Sequence, residues 1–221
     1  MAPTGALLSG IIVAGILGPQ EPAVVVAWVC GFAIVSKHVI RSNREHIFNP
    51  AALALLASSV FFGSGHSWWG ALGNAPWPFV GVLILTGALV VDRLNKFPLV
   101  LTFLMAYAGG FTLIALLDPA RVSEMFRSPF VQSALFLAFF MLTDPPTSPN
   151  RVADQVWFGV VAAATAVAAQ VLGAGQVYLL LGVLAANVWL AAHRWWSRRA
   201  WSASTINSSS DTTVMRSRRT R

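Results

Sequence analysis

Charge is what this chain has least of: only 10% of its 221 residues are Asp, Glu, Lys or Arg, against 56% hydrophobic. A soluble domain of this length buries one core and needs more charge than that to stay dissolved, so a water-exposed globule is excluded. The eight acidic residues are outnumbered by fifteen basic ones. The basic ones sit in short connectors and at the C-terminal end, a placement that orients a membrane protein, and no nucleic-acid partner is expected. Cys30 is the single cysteine; it lies inside an apolar run, which excludes a disulfide framework and any CxxC redox or metal pair. His38 and His46 flank a basic connector without carboxylates at ligand spacing, so no metal site is expected. GxSxG, Walker, GxGxxG and HExxH patterns are missing, and nothing supports a hydrolase. Met1–Gly5 carries no Lys or Arg and runs straight into further apolar segments, so no cleavable signal peptide is expected.

What is present is apolar sequence of membrane length. Mean hydropathy is +0.67, and eight segments follow one another: 5–18, 22–40, 50–63, 77–91, 97–117, 129–142, 152–173 and 176–195. The first, third and sixth hold about 14 residues, which at 1.5 Å per residue cover about 21 Å of a hydrocarbon core about 30 Å thick. Segments this short are half-spanning or lean on neighbours, and broken elements of that kind often surround a binding site. The fold class is therefore an all-α polytopic membrane bundle. Residues 1–199 form its transmembrane domain, and the Ser/Thr-rich 200–221, ending RSRRTR, forms a basic tail without apolar periodicity that is expected to be disordered.

The connectors orient the bundle. With eight crossings, those holding Lys37, Arg41 and Arg44, then Arg93 and Lys96, then Arg151, fall on the side of the arginine-rich tail. The 63–76 connector, which has no Lys or Arg, falls on the other, and only Arg121 and Arg127, accompanied by Asp118 and Glu124, break the pattern. The positive-inside rule then puts both termini in the cytoplasm and the chain in a plasma or inner membrane. Trp68, Trp69, Trp77, Trp195, Trp196 and Trp201 cluster at segment ends as an interfacial belt, and His66 and His193 are expected at the interface with them. Asp92, Arg93 and Lys96 are expected only to set topology.

Two connectors are unlike ordinary loops. Asn49-Pro50 reads as a helix start, since Asn is a good N-cap and Pro loses nothing at the first helical position. Asp144-Pro145-Pro146-Thr147-Ser148-Pro149 cannot be helical and predicts a fixed, extended turn. Non-helical backbone at membrane depth is tolerated only where it is packed in protein or lines a polar cavity. Asn187, embedded in an apolar helix, must find a hydrogen-bond partner inside the bundle, and such residues are functional candidates. A faint internal echo joins the halves. A short run from Ser9 to Pro19, and another from Ser133 to Pro145, each precede a longer span and then an Asn, Asn49 or Asn187. Offset by five segments, the copies would be inverted repeats with a site between them.

The segments HIFNPAALALL (46–56) and FFMLTDPPTSP (139–149) resemble the signature turns of the RnfD/NqrB family, membrane subunits of Rnf-type and Na⁺-translocating NADH:quinone oxidoreductase-type electron-transport complexes. TGALLSGIIVAGILGP (4–19) and LLAANVWL also resemble family segments, so the resemblance covers about residues 4–199. It implies inverted helical repeats that bind flavin and pass electrons, within a complex of other membrane and redox subunits and in a bacterial inner membrane, with quinone as one electron partner. The motif positions carried over are Phe48, Asn49, Pro50 and Ala51, then Thr143, Asp144, Pro145 and Thr147. Asn187 joins them as a candidate cofactor-binding residue, with Phe48, Phe139 and Phe140 as the apolar slot for a flavin ring. No residue is assigned a catalytic role.

Two departures shape the expectation. Family members usually begin with about two further membrane segments, so this chain reads as a shortened member. The family also carries a threonine about nine residues before the TDP motif that bonds FMN covalently through phosphate, and Ala134 stands there, with Ser133 adjacent but out of register. The resemblance therefore implies non-covalent FMN or riboflavin. Two other readings of the residues stay open: a small-solute or ion transporter on the same scaffold, and a non-catalytic scaffold subunit.

Overall fold

The computed structural model describes the backbone of residues 4–42, 45–73 and 75–218, and side chains within 5–40, 46–73, 75–76 and 78–199. All eight expected segments are helical: α1 (Thr4–Ile16), α2 (Ala23–Val39), α3 (Pro50–Phe62), α4 (Trp77–Leu94) and α5 (Phe97–Leu117), then, after a short α6 (Pro119–Val122), α7 (Ser128–Phe136), α8 (Val152–Val171) and α9 (Tyr178–Arg218). The disordered tail expected for 200–221 lies outside the described side chains, as does Trp201 of the aromatic belt. Among the described residues the departures from all-α are a two-residue antiparallel pairing, Arg41–Ser42 (β1) against Glu45–His46 (β2) in the α2–α3 connector, and a single bridge between Leu17 and His66.

Prolines open α3, α4, α5 and α7 within their first two positions, where a missing N–H costs no helical bond. Gly63, at φ +63°, closes α3 in the left-handed conformation, which only glycine adopts without strain. The three short segments are short in fact: α1 and α3 hold 13 residues each, and α7 holds nine before passing into a five-residue π-helical stretch, Leu137–Met141. Three helical stretches, Phe97–Leu117, Val152–Val171 and Gly175–Arg199, are long and apolar enough to cross a bilayer. The first of them leaves Leu101, Met105, Leu113 and Leu116 exposed, an apolar surface suited to lipid.

α5, α8 and α9 form the tightest block. A Cβ added at Gly159 of α8 would lie 2.8 Å from the Leu99 carbonyl oxygen, and one at Gly182 of α9 would lie 2.5 Å from the Ala162 carbonyl oxygen. With Ala162, Ala163 and Ala166 fully buried beside them, these glycines let backbones approach as close-packed membrane helices require. Between α5 and α9 the Tyr107 and Tyr178 hydroxyls share a 2.7 Å hydrogen bond, which removes two polar atoms from the apolar interior.

Contacts at the helix ends group the connectors into two faces. The Lys37 ammonium at the end of α2 donates to the Gly5 carbonyl at the start of α1. The α4–α5 turn touches the turn before α8 through Lys96 and Asn150. On the opposite face the Trp68 indole donates to the Gln176 carbonyl at 3.2 Å, and Arg121 reaches the Val171 carbonyl. The start of α1, the α2–α3, α4–α5 and α7–α8 connectors and the Arg194 region of α9 thus share one basic face.

His66, expected at the interface, is covered by the fold of its own connector. The 63–76 connector folds back over the end of α1: Gly18 N–H donates to Gly65 O at 2.9 Å, and the N–H groups of Ser67 and Trp68 donate to Ile16 O. This satisfies a helix end that would otherwise present bare carbonyls, and it leaves His66 only 4% exposed. Burial holds the His66 imidazole below its ordinary value of 6.5, because the charged form is the one desolvation penalises. The unfolded chain therefore takes up this proton first as pH falls. Stability is fully present above 6.5 and is lost as pH drops through the window below it. Thermal melts in detergent from about pH 7.5 down to about pH 5 should show this decline, and His66→Gln should flatten it; an unchanged slope in the variant would contradict the burial argument.

Candidate functional site

The site is a knot of backbone turns tied by two asparagines. Asn49 caps α3, its Oδ1 accepting from the Ala52 N–H at 3.1 Å, as its place before Pro50 predicts. The rest of Asn49 faces elsewhere. Its Nδ2 donates to the Met141 carbonyl at 3.2 Å, and its backbone N–H donates to Asn187 Oδ1 at 2.8 Å. Asn187 in turn donates from Nδ2 to the Thr147 carbonyl at 3.1 Å. Asn49 and Asn187 are 2% and 1% exposed. One amide in α9, 138 residues along the chain from Asn49, therefore joins the start of α3 to the turn that follows α7. Buried polar groups must be paired or cost heavily, and here the pairing itself brings the two motif turns together.

The acceptor at Met141 exists because α7 ends in a π-helical turn. Leu142 N–H bonds back to Leu137 O, which widens the helix and shifts its last carbonyls from their usual partners. Thr143 Oγ donates to Phe139 O at 2.5 Å, closing the same turn. The 144–149 turn is not extended as the sequence suggested. Thr147 and Ser148 N–H groups both donate to the Asp144 carbonyl, at 3.1 and 3.0 Å, and Thr147 Oγ donates to Asp144 Oδ2 at 2.9 Å. Prolines forbid a helix there, yet these short-range bonds curl the chain into a compact loop.

A cavity of about 520 Å³ opens beside this knot, within the range of small-ligand sites. Both motif turns line it: Asn49, Pro50 and Ala51 from one, Asp144 and Pro146 from the other. Its walls include Leu8 and Ile12 of α1 and Ile34 of α2, while Lys37, His38 and His46 gather at its polar end. The Lys37 ammonium bends inward to Gly5 O and Ser9 Oγ, at 2.6 and 2.8 Å. A second, almost wholly apolar cavity of about 360 Å³ shares Leu8, Ile12 and Asp144 with the first and adds Phe136, Phe140, Thr143 and Pro145. A narrow cleft lined by His46, Thr147, Asn187, Arg194 and Arg198 adjoins the polar end. Burial pushes the Asp144 carboxyl above the ordinary carboxylate range, an effect opposed by the Thr147 hydrogen bond and by the charges of Lys37 and His46.

Eight of the nine candidate residues from the sequence line one of these three spaces. The exception is Phe48, which is half-buried and packs on the core. Nor do aromatic rings flank the first cavity: Phe139 packs tightly against Gly87, and Phe140 faces the second. Ala134, which stands where the family carries its flavin-bonding threonine, is 2% exposed. Its neighbour Ser133 spends its hydroxyl on Pro129 O at 2.7 Å.

Sequence reading missed Lys37 and Ser9, and it gave Lys96 too small a part. Lys96 is 2% exposed and donates to the Pro149 carbonyl and to Asn150 Oδ1. Burial, with Arg194 nearby, lowers its pKa. It clamps the end of the 144–149 turn instead of merely orienting the chain. Lys96→Met should cost about 2 kcal/mol, the penalty for orphaning buried acceptors of a charged donor, read as a lower melting temperature in detergent. Unchanged melting would mean that the clamp contributes nothing.

A polytopic all-α bundle with two proline-turn motifs folded against a shared cavity has the make-up of an integral membrane protein. Residues 66–192 match the NQR2, RnfD, RnfE family. The chain belongs to that family and is a membrane subunit of the Rnf/Nqr type, whose complexes contain other membrane subunits. The matched stretch contains the 139–149 turn and Asn187; the 46–56 segment lies before it and meets it only in three dimensions. No curated protein matches the chain.

Proposed function

We propose that the chain is an electron-transport subunit that holds FMN or riboflavin non-covalently in the Asp144 cavity and relays electrons between partner subunits. The basic face is cytoplasmic, with both termini on that side of a bacterial inner membrane. Coupling to ion movement and quinone as an electron partner belong to the same proposal. The observation that carries it is the cavity itself, bounded by both motif turns and offering apolar walls with a polar end.

The residues suit the group. A flavin supplies the redox chemistry when bound, and the protein's task is to hold and tune it. Leu8, Ile12 and Ile34 present surface for a planar ring. Asn49 and Asp144 bring hydrogen-bonding atoms to the same wall, and the Lys37 ammonium supplies positive charge beside Asp144. Asp144, a carboxyl held partly out of water, can keep or release a proton at that wall. Electrons must come from and go to other subunits, since the sequence carries no NAD motif and no cysteine cluster for iron–sulfur ligation.

Titrating FMN into the purified chain in neutral detergent tests the reading. Flavin fluorescence should be quenched on binding, and Ala51→Trp, which fills the cavity from a wall position, should abolish the quenching while helical content is retained. Equal quenching in that variant, or none in the wild type, would overturn the assignment.

A further inference from the structure

α1 and α4 line one cavity but lean on different neighbours. α1 rests on α2 and α3, whereas α4 rests on α7 and its π-helical end. The space they share is the second cavity, of about 360 Å³. Leu8 and Ile11 line it from α1, Val90 and Leu94 from α4, and Phe136 and Phe140 from the α7 stretch. Leu8 and Ile11 are exposed, the latter by 61%, as are Leu85 and Leu89 on α4. In a bilayer such apolar surface meets hydrocarbon, so the cavity is a recess in the lipid-facing wall.

Size, polarity and position say what fills it. The α7 lining runs from Phe136 to Thr143, about 10 Å at 1.5 Å per residue. A helix about 10 Å across and of that length takes about 800 Å³, roughly twice the space, so a partner's membrane helix does not fit and a single flexible chain does. Thr143 and Asp144 are the polar residues among those that line it, and both are engaged: Thr143 Oγ donates to Phe139 O, and Asp144 Oδ2 accepts from Thr147 Oγ. The recess therefore suits hydrocarbon better than a polar ring or headgroup, and apolar cavities stay dry and take up apolar molecules. Leu94 ends α4 and Pro145 belongs to the α7–α8 connector, which places the recess next to the basic face. Its length fits within one leaflet, about 15 Å of hydrocarbon.

We propose that this recess holds one acyl chain of a membrane phospholipid whose headgroup lies at the basic face. The chain fills the space between α1 and α4 and supplies packing that the two helices do not give each other. It also backs the Leu8 and Ile12 side chains that the recess shares with the main cavity. The proposal is independent of what the main cavity binds.

The test uses phosphatidylglycerol with a diazirine along one acyl chain, in nanodiscs holding the purified chain, with labelled residues mapped after irradiation. Leu116, exposed on α5, reports ordinary lipid contact. Phe136 and Phe140 should be labelled as well, although Leu137 and Ala138 between them are fully buried. Val90→Trp, which narrows the recess from α4, should reduce the α7 label to background and leave the Leu116 label unchanged. Ile11→Trp, at the exposed lip, should do the same and serves if the first variant fails to fold. Leu117→Trp, at a position 85% exposed, should leave the α7 label intact. Background labelling of α7 in the wild type, or full labelling in both recess variants, overturns the proposal. So does an α7 label removed by added quinone while Leu116 stays labelled, which assigns the recess to a prenyl chain. An α7 label lost once partner subunits are bound places a partner's side chain there and overturns it too.

Discussion

Asn187→Leu should unfasten the two motif turns and lower the stability of the bundle by about 2–4 kcal/mol, the cost of two lost hydrogen bonds plus two orphaned backbone groups. The argument is local. Leucine fills a similar volume but leaves the Asn49 N–H and the Thr147 carbonyl without the partners that Asn187 gives them. Neither group can turn to bulk water, since Asn49 and Thr147 are each 2% exposed. Interhelical hydrogen bonds in membranes average well under their expected strength because the unfolded chain finds other partners, which places the lower bound. The second consequence is larger than the thermodynamic one: the cavity should lose its shape, and flavin quenching should fall even below the melting temperature. Thermal melts and flavin titration on one preparation check both. A variant as stable as wild type, with normal quenching, would show that the asparagine bridge is incidental.

Gly182→Val should also be strongly damaging, for the opposite reason. The first atom of any side chain there would sit 2.5 Å from the Ala162 carbonyl oxygen and 3.1 Å from the Ala166 Cβ. Backbone cannot swing aside as a side chain can, so α8 and α9 must separate, and overpacking of this kind costs about 1–3 kcal/mol or more. Because α9 carries Asn187, separation also pulls the bridge away from Asn49. Gly109 of α5 is the control: nothing lies within 4 Å of its would-be Cβ. Gly109→Ala should therefore be neutral or stabilise by up to about 1 kcal/mol, through helix propensity alone. Equal melting temperatures for the two variants would refute the close approach of α8 and α9.

The helices were legible in the sequence because apolar runs and proline punctuation are local signals. Phe97–Leu117 has the expected ends, and Asn49-Pro50 starts α3 where N-cap chemistry places it. The meeting of the Asn49 and Asp144 turns followed from a rule of the same simplicity: irregular polar backbone in a membrane must be packed or line a cavity. What stayed hidden depends on distant partners. The π-helical end of α7 has no composition signature, and its effect shows only because Asn49 reaches Met141 O. Lys96 looked like a topology charge until the Pro149 carbonyl came within reach. His66, in a connector free of Lys and Arg, is buried because its loop closes the end of α1. The expected aromatic slot failed for a related reason, since Phe139 is used to pack against Gly87.

The most direct test of the account is the chromophore of the protein purified in mild detergent together with its partner subunits. The account predicts flavin absorbance that is released on denaturation, with no covalent residue left on the chain, and that disappears when Ala51→Trp blocks the cavity. A colourless complex, or flavin that survives the blocked cavity unchanged, would contradict it.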